Sequence, residues 1–195
     1  MREIEIKLRI ESMAAARTRV RRLGFRPLGP RELERNIVFD TPAQTLRNSQ
    51  QLLRLRSKGG RWWLTYKNRP EPDSRHKIRQ EMEIELPEGQ QLAAILDRLG
   101  YQPAFEYQKF RTEYQQPARE GKLLLDETPI GNFIELEGDP RWIDQTASEL
   151  GYGTRDYILA SYGALYFAWC QERGIPAEDM VFQKQVKSQK AKVRN

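Results

Sequence analysis

From Glu3 to Ile10 the chain alternates charged and aliphatic residues with a period of two, Glu3-Ile4-Glu5-Ile6-Lys7-Leu8-Arg9-Ile10. A β-strand turns that alternation into one apolar face and one wholly charged face. Ser12 then offers a cap for a helix running to about Leu23 and stopping at Gly24. Strand-like runs follow at Glu34 to Phe39, Gln51 to Ser57 and Arg61 to Lys67, the last two separated by the turn-forming Lys58-Gly59-Gly60. The opening pattern returns at Lys77, where Arg79, Glu81, Glu83 and Glu85 alternate with Gln80, Met82, Ile84 and Leu86. A second helix is predicted from Glu88 to Leu99, ending at Gly100, and Arg98-Leu99-Gly100-Tyr101-Gln102-Pro103 echoes Arg22-Leu23-Gly24-Phe25-Arg26-Pro27. Strands at Tyr107 to Tyr114, Lys122 to Glu127 and Phe133 to Glu137 complete this half, with turn chemistry in Pro129-Ile130-Gly131-Asn132. The chain therefore reads as two strand-helix-meander halves. Helical spacing takes over from Trp142 to Leu150 and from Tyr157 to Arg173. Arg69 to Arg75 reads as a loop between the halves, because neither half has strands enough to bury itself.

Charge recurs at a spacing of two on five segments: Glu3, Glu5 and Lys7; Arg54 and Arg56; Arg79 to Glu85; Lys109 and Arg111; Glu135 and Glu137. A single such strand shows its charges to water. Here the opposite faces carry Ile4, Ile6, Leu8, Leu53, Leu55, Met82, Ile84, Leu86, Phe110, Ile134 and Leu136, which also need burial. Helices packed outside a closed sheet satisfy both demands, with the charges turned into a lumen. Like charges facing one another in a narrow lumen stay ionised only beside opposite charge from side chains, metal or ligand.

The bulk numbers fit one domain, expected over residues 1–175, followed by a basic tail at 176–195. Of 195 residues, 31% are charged and the formal net charge is +6, but Lys184, Lys187, Lys190, Lys192 and Arg194 lie in the tail and point to a solvated end. The single cysteine, Cys170, excludes an internal disulfide and cysteine-rich metal sites and fits a reducing cytoplasm. No apolar run approaches the ~20 residues of a membrane helix, and Met1 leads into charged alternation rather than a signal peptide, so a soluble, unprocessed, cytoplasmic protein is expected. Carboxylates suit Mg²⁺ or Mn²⁺, whereas one His76 and one Cys170 build no soft-metal site. Arg and Lys suit phosphate oxygens, and without a Gly-rich phosphate loop the phosphates would be held by strand side chains. His76 reads as a solvated loop residue, Cys170 as a small buried hydrophobe, and Asp40-Thr41 as a turn or helix cap. Trp62, Trp63 and Tyr66 offer surfaces for stacking a base, or core.

These residues resemble the CYTH superfamily, the triphosphate tunnel metalloenzymes, and within it the class IV adenylate cyclase branch. Glu3, Glu5 and Lys7 match its E-x-E-x-K motif, Leu53-Arg54-Leu55-Arg56 its L-R-x-R strand, and Leu64-Thr65-Tyr66-Lys67 its lysine strand. Arg79-Gln80-Glu81-Met82-Glu83 is similar to R-x-E-x-E, Lys109-Phe110-Arg111 to K-x-R, Asp126 to a late acidic strand, and Phe133-Ile134-Glu135-Leu136-Glu137 to F-x-E-x-E. The similarity runs from about Glu3 to Tyr166. It implies an α+β fold built on a closed eight-stranded antiparallel β-barrel. It further implies phosphate contacts from Lys7, Arg54, Arg56, Lys67, Arg79, Lys109 and Arg111, and metal binding by Glu3, Glu5, Asp126, Glu135 and Glu137 with Glu81 and Glu83 completing the acidic wall. Glu3, Glu5, Lys7, Arg54 and Arg56 are the implied catalytic set. Ala160 stands before Ser161-Tyr162 where the family often has a basic residue, so a lid contact is missing or comes from Arg155. The implied activity is metal-dependent hydrolysis of an inorganic or organic triphosphate such as tripolyphosphate or ATP, by a monomer or homodimer. The alternatives are cyclisation of ATP to cyclic AMP and pyrophosphate, and non-catalytic polyphosphate or nucleotide binding. Nucleic-acid binding rests on charge and tail alone and is expected to fail.

Overall fold

The opening alternation does form a strand, β1 (Arg2–Ile10), and Ser12 caps the helix after it, α1 (Met13–Arg22), accepting from the Ala15 N–H at 3.3 Å. A computed structural model describes residues 1–72, 75–117 and 120–183 of the chain. The tail from Lys184 onward and part of the 69–75 loop, Asp73 and Ser74, lie outside the described residues. After α1 come β2 (Arg26–Pro27), β3 (Glu32–Asp40), a single turn of helix α2 (Thr45–Asn48), β4 (Leu52–Lys58) and β5 (Arg61–Lys67). The second half supplies β6 (Lys77–Leu86), α3 (Gly89–Arg98), β7 (Gln102–Gln115), β8 (Lys122–Thr128) and β9 (Gly131–Glu137), followed by α4 (Pro140–Glu149) and α5 (Tyr162–Arg173).

All strand pairs are antiparallel. The order β7-β3-β4-β5-β6-β1-β9-β8 closes through a β7–β8 pairing, giving an eight-stranded barrel with the two-residue β2 outside it. Exchanging β1, β3, β4 and β5 for β6, β7, β8 and β9 leaves this circular order unchanged, so the duplication read from sequence is also a duplication of topology. The helix ends repeat as well: Phe25 N–H donates to Val20 O after α1, and Tyr101 N–H to Leu96 O after α3. Between β4 and β5, Gly59 and Gly60 have φ of +56° and +78°, the left-handed pair of a two-residue hairpin turn whose twist suits the flanking strands.

The apolar strand faces meet helices. Ile6 and Leu8 of β1, Leu123 and Leu125 of β8, and Ile134 and Leu136 of β9 pack with Val20 of α1 and Ile143, Ala147 and Leu150 around α4. Each such buried aliphatic chain contributes about 1.5–3 kcal/mol. Leu55 and Phe39 pack under Leu96 of α3, and Tyr162, Tyr166 and Cys170 of α5 close a third cluster with Tyr107, Phe133 and Met180. β6 departs in part from the expectation of a covered outer face: Leu86 packs against the cluster under α3, but Met82 and Ile84 are exposed.

Two further differences have one cause. Helix α5 begins at Tyr162 rather than Tyr157, since Ile158 exchanges backbone hydrogen bonds of 2.8 and 3.0 Å with Lys7. β6 pairs with β1 only from Arg2 to Glu5, and the edge of β1 beyond needs other backbone partners. Likewise β7 begins five residues closer to its helix than the hydrophobic run suggests, at Gln102 rather than Tyr107, and Met180 pairs with it where β8 stops.

Gly89 fits closely under Trp62: an added Cβ would sit 2.2 Å from the indole ring. Gly89→Ala, which in an open helix stabilises, is therefore expected to cost about 1–3 kcal/mol by overpacking. Thermal unfolding of the variant checks this; an unchanged or raised Tm would show that Trp62 yields freely.

Candidate functional site

Period-two alternation places the charged faces of all eight barrel strands in one lumen. Each of the fourteen charged residues picked out from sequence is there: Glu3, Glu5, Lys7, Arg54, Arg56, Lys67, Arg79, Glu81, Glu83, Lys109, Arg111, Asp126, Glu135 and Glu137. Lys77 and Glu34 join them, and Lys58 with Glu32 and Glu113 continues the same inward faces among the described residues. Lys77 shares the register of Arg79 and Glu81, and Glu34 that of Glu32; the alternation that marked their neighbours was also the signal for these two.

The charges sort into neighbourhoods. Arg111 clamps Asp126 through two hydrogen bonds of 2.7 and 2.6 Å and also contacts Glu135, while Lys109 lies 3.0 Å from Asp126 and Lys7 3.0 Å from Glu135. The Tyr162 hydroxyl, at the start of α5, donates to Asp126 at 2.7 Å, and its ring lies over both Lys7 and Lys109. Burial alone would raise Asp126 and Glu135, but Arg111 and Lys109 on the one, and Lys7, Arg111 and Lys109 on the other, hold both well below the usual carboxylate range. On the far wall, Arg54 donates to Thr65 and the Tyr107 hydroxyl, each at 3.2 Å, and Arg56 to Glu83 at 2.9 Å.

In a third neighbourhood one of three carboxylates, Glu137, makes no ion pair among the described residues. Carboxylate oxygens of Glu3, Glu5 and Glu137 lie within 4.8 Å of one another. Glu3 accepts from Lys67 at 2.6 Å and Glu5 from Lys77 at 2.7 Å. Burial opposes the charge on Glu5, yet Lys7 and Lys77 outweigh it and hold the group at about 2. Glu137 goes the other way: burial and then the charges of Glu135, Glu3 and Glu5, against Arg111, push it up to about 7. Three hard oxygen donors converging where one carboxyl resists ionisation fit a divalent cation of the Mg²⁺ or Mn²⁺ kind. Glu81, Glu83, Asp126 and Glu135 stand outside this trio, each within 3.2 Å of a lysine or arginine nitrogen.

Opposite demands remain among the cations. The Nε atoms of Arg54, Arg56 and Arg79 are buried without a hydrogen-bond acceptor, and the guanidinium of Arg79 stands 3.8 and 3.9 Å from Glu3 and Glu5. Unfilled buried donors cost about 1–3 kcal/mol each and mark where acceptor oxygens are wanted.

His76 is buried rather than solvated, with Nε2 2.8 Å from Asp144, which also accepts from the Tyr157 hydroxyl; this ties α4 and the 157–158 segment to the start of β6. Of the three aromatic candidates for stacking, Trp63 alone shares the inward face of β5 with Thr65 and Lys67, while Trp62 packs outside against α3 and Tyr66 pairs outside with Met82. Arg155 is exposed on a 3-10 turn. Asp40 does cap α2, accepting from Leu46 and Arg47 N–H at 2.9 Å.

Acid should weaken the lumen. Glu5 and Glu34 sit at about 2 when folded against an ordinary 4.5. Their contribution to stability is complete above about pH 4.5 and is lost as pH falls through about 2. Denaturant midpoints measured from pH 6 to pH 2 should fall progressively below 4.5; a flat profile would contradict the ionised pairs.

The family model described as CYTH domain matches residues 1–162. A candidate adenylate cyclase of Methanocaldococcus jannaschii is 28% identical over 137 residues, 70% of this chain and 77% of that protein. Among solved structures, a Pyrococcus horikoshii protein superposes with a TM-score of 0.69 at 26% identity, covering 86% of this chain and 99% of its own. A Hippeastrum protein, described as a candidate adenylyl cyclase that reveals a dominant triphosphatase activity, gives a TM-score of 0.64 at 24% identity over 90% and 97% of the two chains. Among the described residues no helix is long and apolar enough to cross a membrane.

Proposed function

Because this chain belongs to the CYTH domain family, we propose that it takes a triphosphate-bearing small molecule into the lumen together with Mg²⁺ or Mn²⁺ and hydrolyses it. One observation carries the reading: Arg79, whose Nε is buried without an acceptor, lies beside a carboxylate trio in which Glu137 has no cation of its own among the described residues. A bare polyphosphate does not suit a wall whose cations already stand against carboxylates, since each phosphate oxygen that gains a cation takes it from a carboxylate. A polyphosphate entering with a divalent ion answers both needs at once. Held by Glu3, Glu5 and Glu137, the ion would supply positive charge to the phosphoryl oxygens. Arg54, Arg56 and Arg79 orient the anion through their free N–H groups, and Lys7, Lys67, Lys109 and Arg111 add the field of fixed cations. Water attacking the terminal phosphorus in line yields phosphate and the shortened chain.

The cyclase reading has its own support in the candidate cyclase relative, and differs in the nucleophile and in the phosphorus attacked: the ribose 3′-hydroxyl of ATP displaces pyrophosphate from the α-phosphorus. Purified protein incubated with Mg²⁺ or Mn²⁺ and either tripolyphosphate or ATP separates the outcomes. Metal-dependent release of phosphate from tripolyphosphate is expected. Cyclic AMP with pyrophosphate and no free phosphate would replace hydrolysis by cyclisation. A raised Tm with tripolyphosphate and no product over hours would leave a binding module.

A further inference from the structure

In the circular strand order β3 stands four strands from β1 in either direction, so its inward residues face Glu5 and Lys7 across the lumen. Those residues include Glu34, 1% exposed, and Asn36, 0% exposed. Both carboxylate oxygens of Glu34 and both amide atoms of Asn36 lack a hydrogen-bond partner. The nearest cations to Glu34, Lys109 at 3.6 Å and Arg56 at 4.0 Å, attract it without donating a hydrogen bond. Burial opposes the charge on Glu34, but Lys109, Arg111, Arg56 and Arg54 outweigh it and hold the group at about 2, so at neutral pH it only accepts. Asn36 both donates and accepts.

The surroundings restrict what fills these positions. A metal ion is disfavoured among four cations, and a phosphate is disfavoured against an ionised carboxylate. A neutral hydroxyl suits both, donating to Glu34 and exchanging hydrogen bonds with Asn36. Strand register aligns Tyr107, Asn36, Arg56 and Trp63 in one row across β7, β3, β4 and β5. The guanidinium groups of Arg56 and Arg61 each lie 5.3 Å from the Trp63 ring, so an aromatic surface and a phosphate-seeking cation border the hydroxyl site.

We propose that Glu34 and Asn36 form a subsite for the hydroxyls of the substrate's organic portion, of the chemical class of a nucleoside ribose, with Trp63 as the flat surface for the attached base. This rests on the triphosphate reading and narrows it to an organic triphosphate carrying hydroxyls. Calorimetric titration in Mg²⁺ with tripolyphosphate, ATP and 2′,3′-dideoxyATP tests it on the wild-type chain. ATP should bind roughly tenfold or more tightly than dideoxyATP, because the deoxy analogue leaves buried polar groups unfilled. Asn36→Ala should bring the ratio of the two affinities towards one. Equal affinities in the wild type would overturn the subsite, since water would then fill it as well as ribose does; this arm needs no variant to fold. An undiminished ratio in Asn36→Ala would remove Asn36 from it. Failure of the wild type to bind tripolyphosphate would overturn the triphosphate reading itself, and the subsite with it.

Discussion

Replacing Arg111 by methionine should lower the unfolding free energy by about 3–5 kcal/mol at pH 7, among the largest losses any single lumen substitution would produce. Arg111 holds Asp126, which is fully buried, by two hydrogen bonds and touches Glu135, itself 4% exposed. Methionine preserves much of the volume, so the cost comes from two buried carboxylates left with less positive charge, rather than from a cavity. The pH dependence separates these causes. In the wild type both acids are held below their ordinary values, so their contribution is present above those values and is lost as pH falls through the depressed ones. Without Arg111 the depression shrinks. The variant's deficit should therefore be larger at pH 7 than at pH 3, and Asp126→Asn added to it should cost less than the two changes summed. Urea unfolding at both pH values measures this; a deficit equal at both would mean that packing, and not charge, is what Arg111 supplies.

Glu137→Gln should do the reverse, stabilising the metal-free protein while nearly abolishing its activity. A carboxyl raised to about 7 in the fold, against 4.5 outside it, gives stability that is fully present below 4.5 and is lost as pH rises through 7. Glutamine cannot ionise, so at pH 8 the variant should gain on the order of 1–3 kcal/mol over the wild type, and at pH 4.5 nothing. Activity should fall roughly a hundredfold or more, since the trio loses one anionic oxygen donor. Calorimetric melting with and without Mn²⁺ joins the two effects. Mn²⁺ should raise the Tm of the wild type at pH 8 much more than that of Glu137→Gln. Equal rises would place the ion elsewhere in the lumen.

Both predictions depend on distinctions among charges that look alike in sequence. Glu135 and Glu137 sit two apart on β9 and share an inward face, yet one is pulled down by Lys7, Arg111 and Lys109 and the other is pushed up by burial and its acidic neighbours. Spacing on one strand states which way a side chain points. It carries nothing about what arrives from the opposite wall.

The alternation of charged and aliphatic residues was enough to establish a closed barrel with charges inside, the two-fold repeat of its halves, and the identity of most lumen residues, because a strand's period of two is a local property of the backbone. Motif spacing added the family, which residues 1–162 bear out. Three things required the folded chain. Ile158 joins β1 instead of starting a helix, since an unpaired strand edge elsewhere in the barrel outweighs helical spacing. His76 meets Asp144 across 68 positions of sequence. Glu3, Glu5 and Glu137 become a trio, while Asp126 and Glu135 are neutralised, because the stagger of strands around the barrel decides which charges lie within a few ångströms. Electrostatic energy in a buried lumen is set by those distances, and no local pattern encodes them.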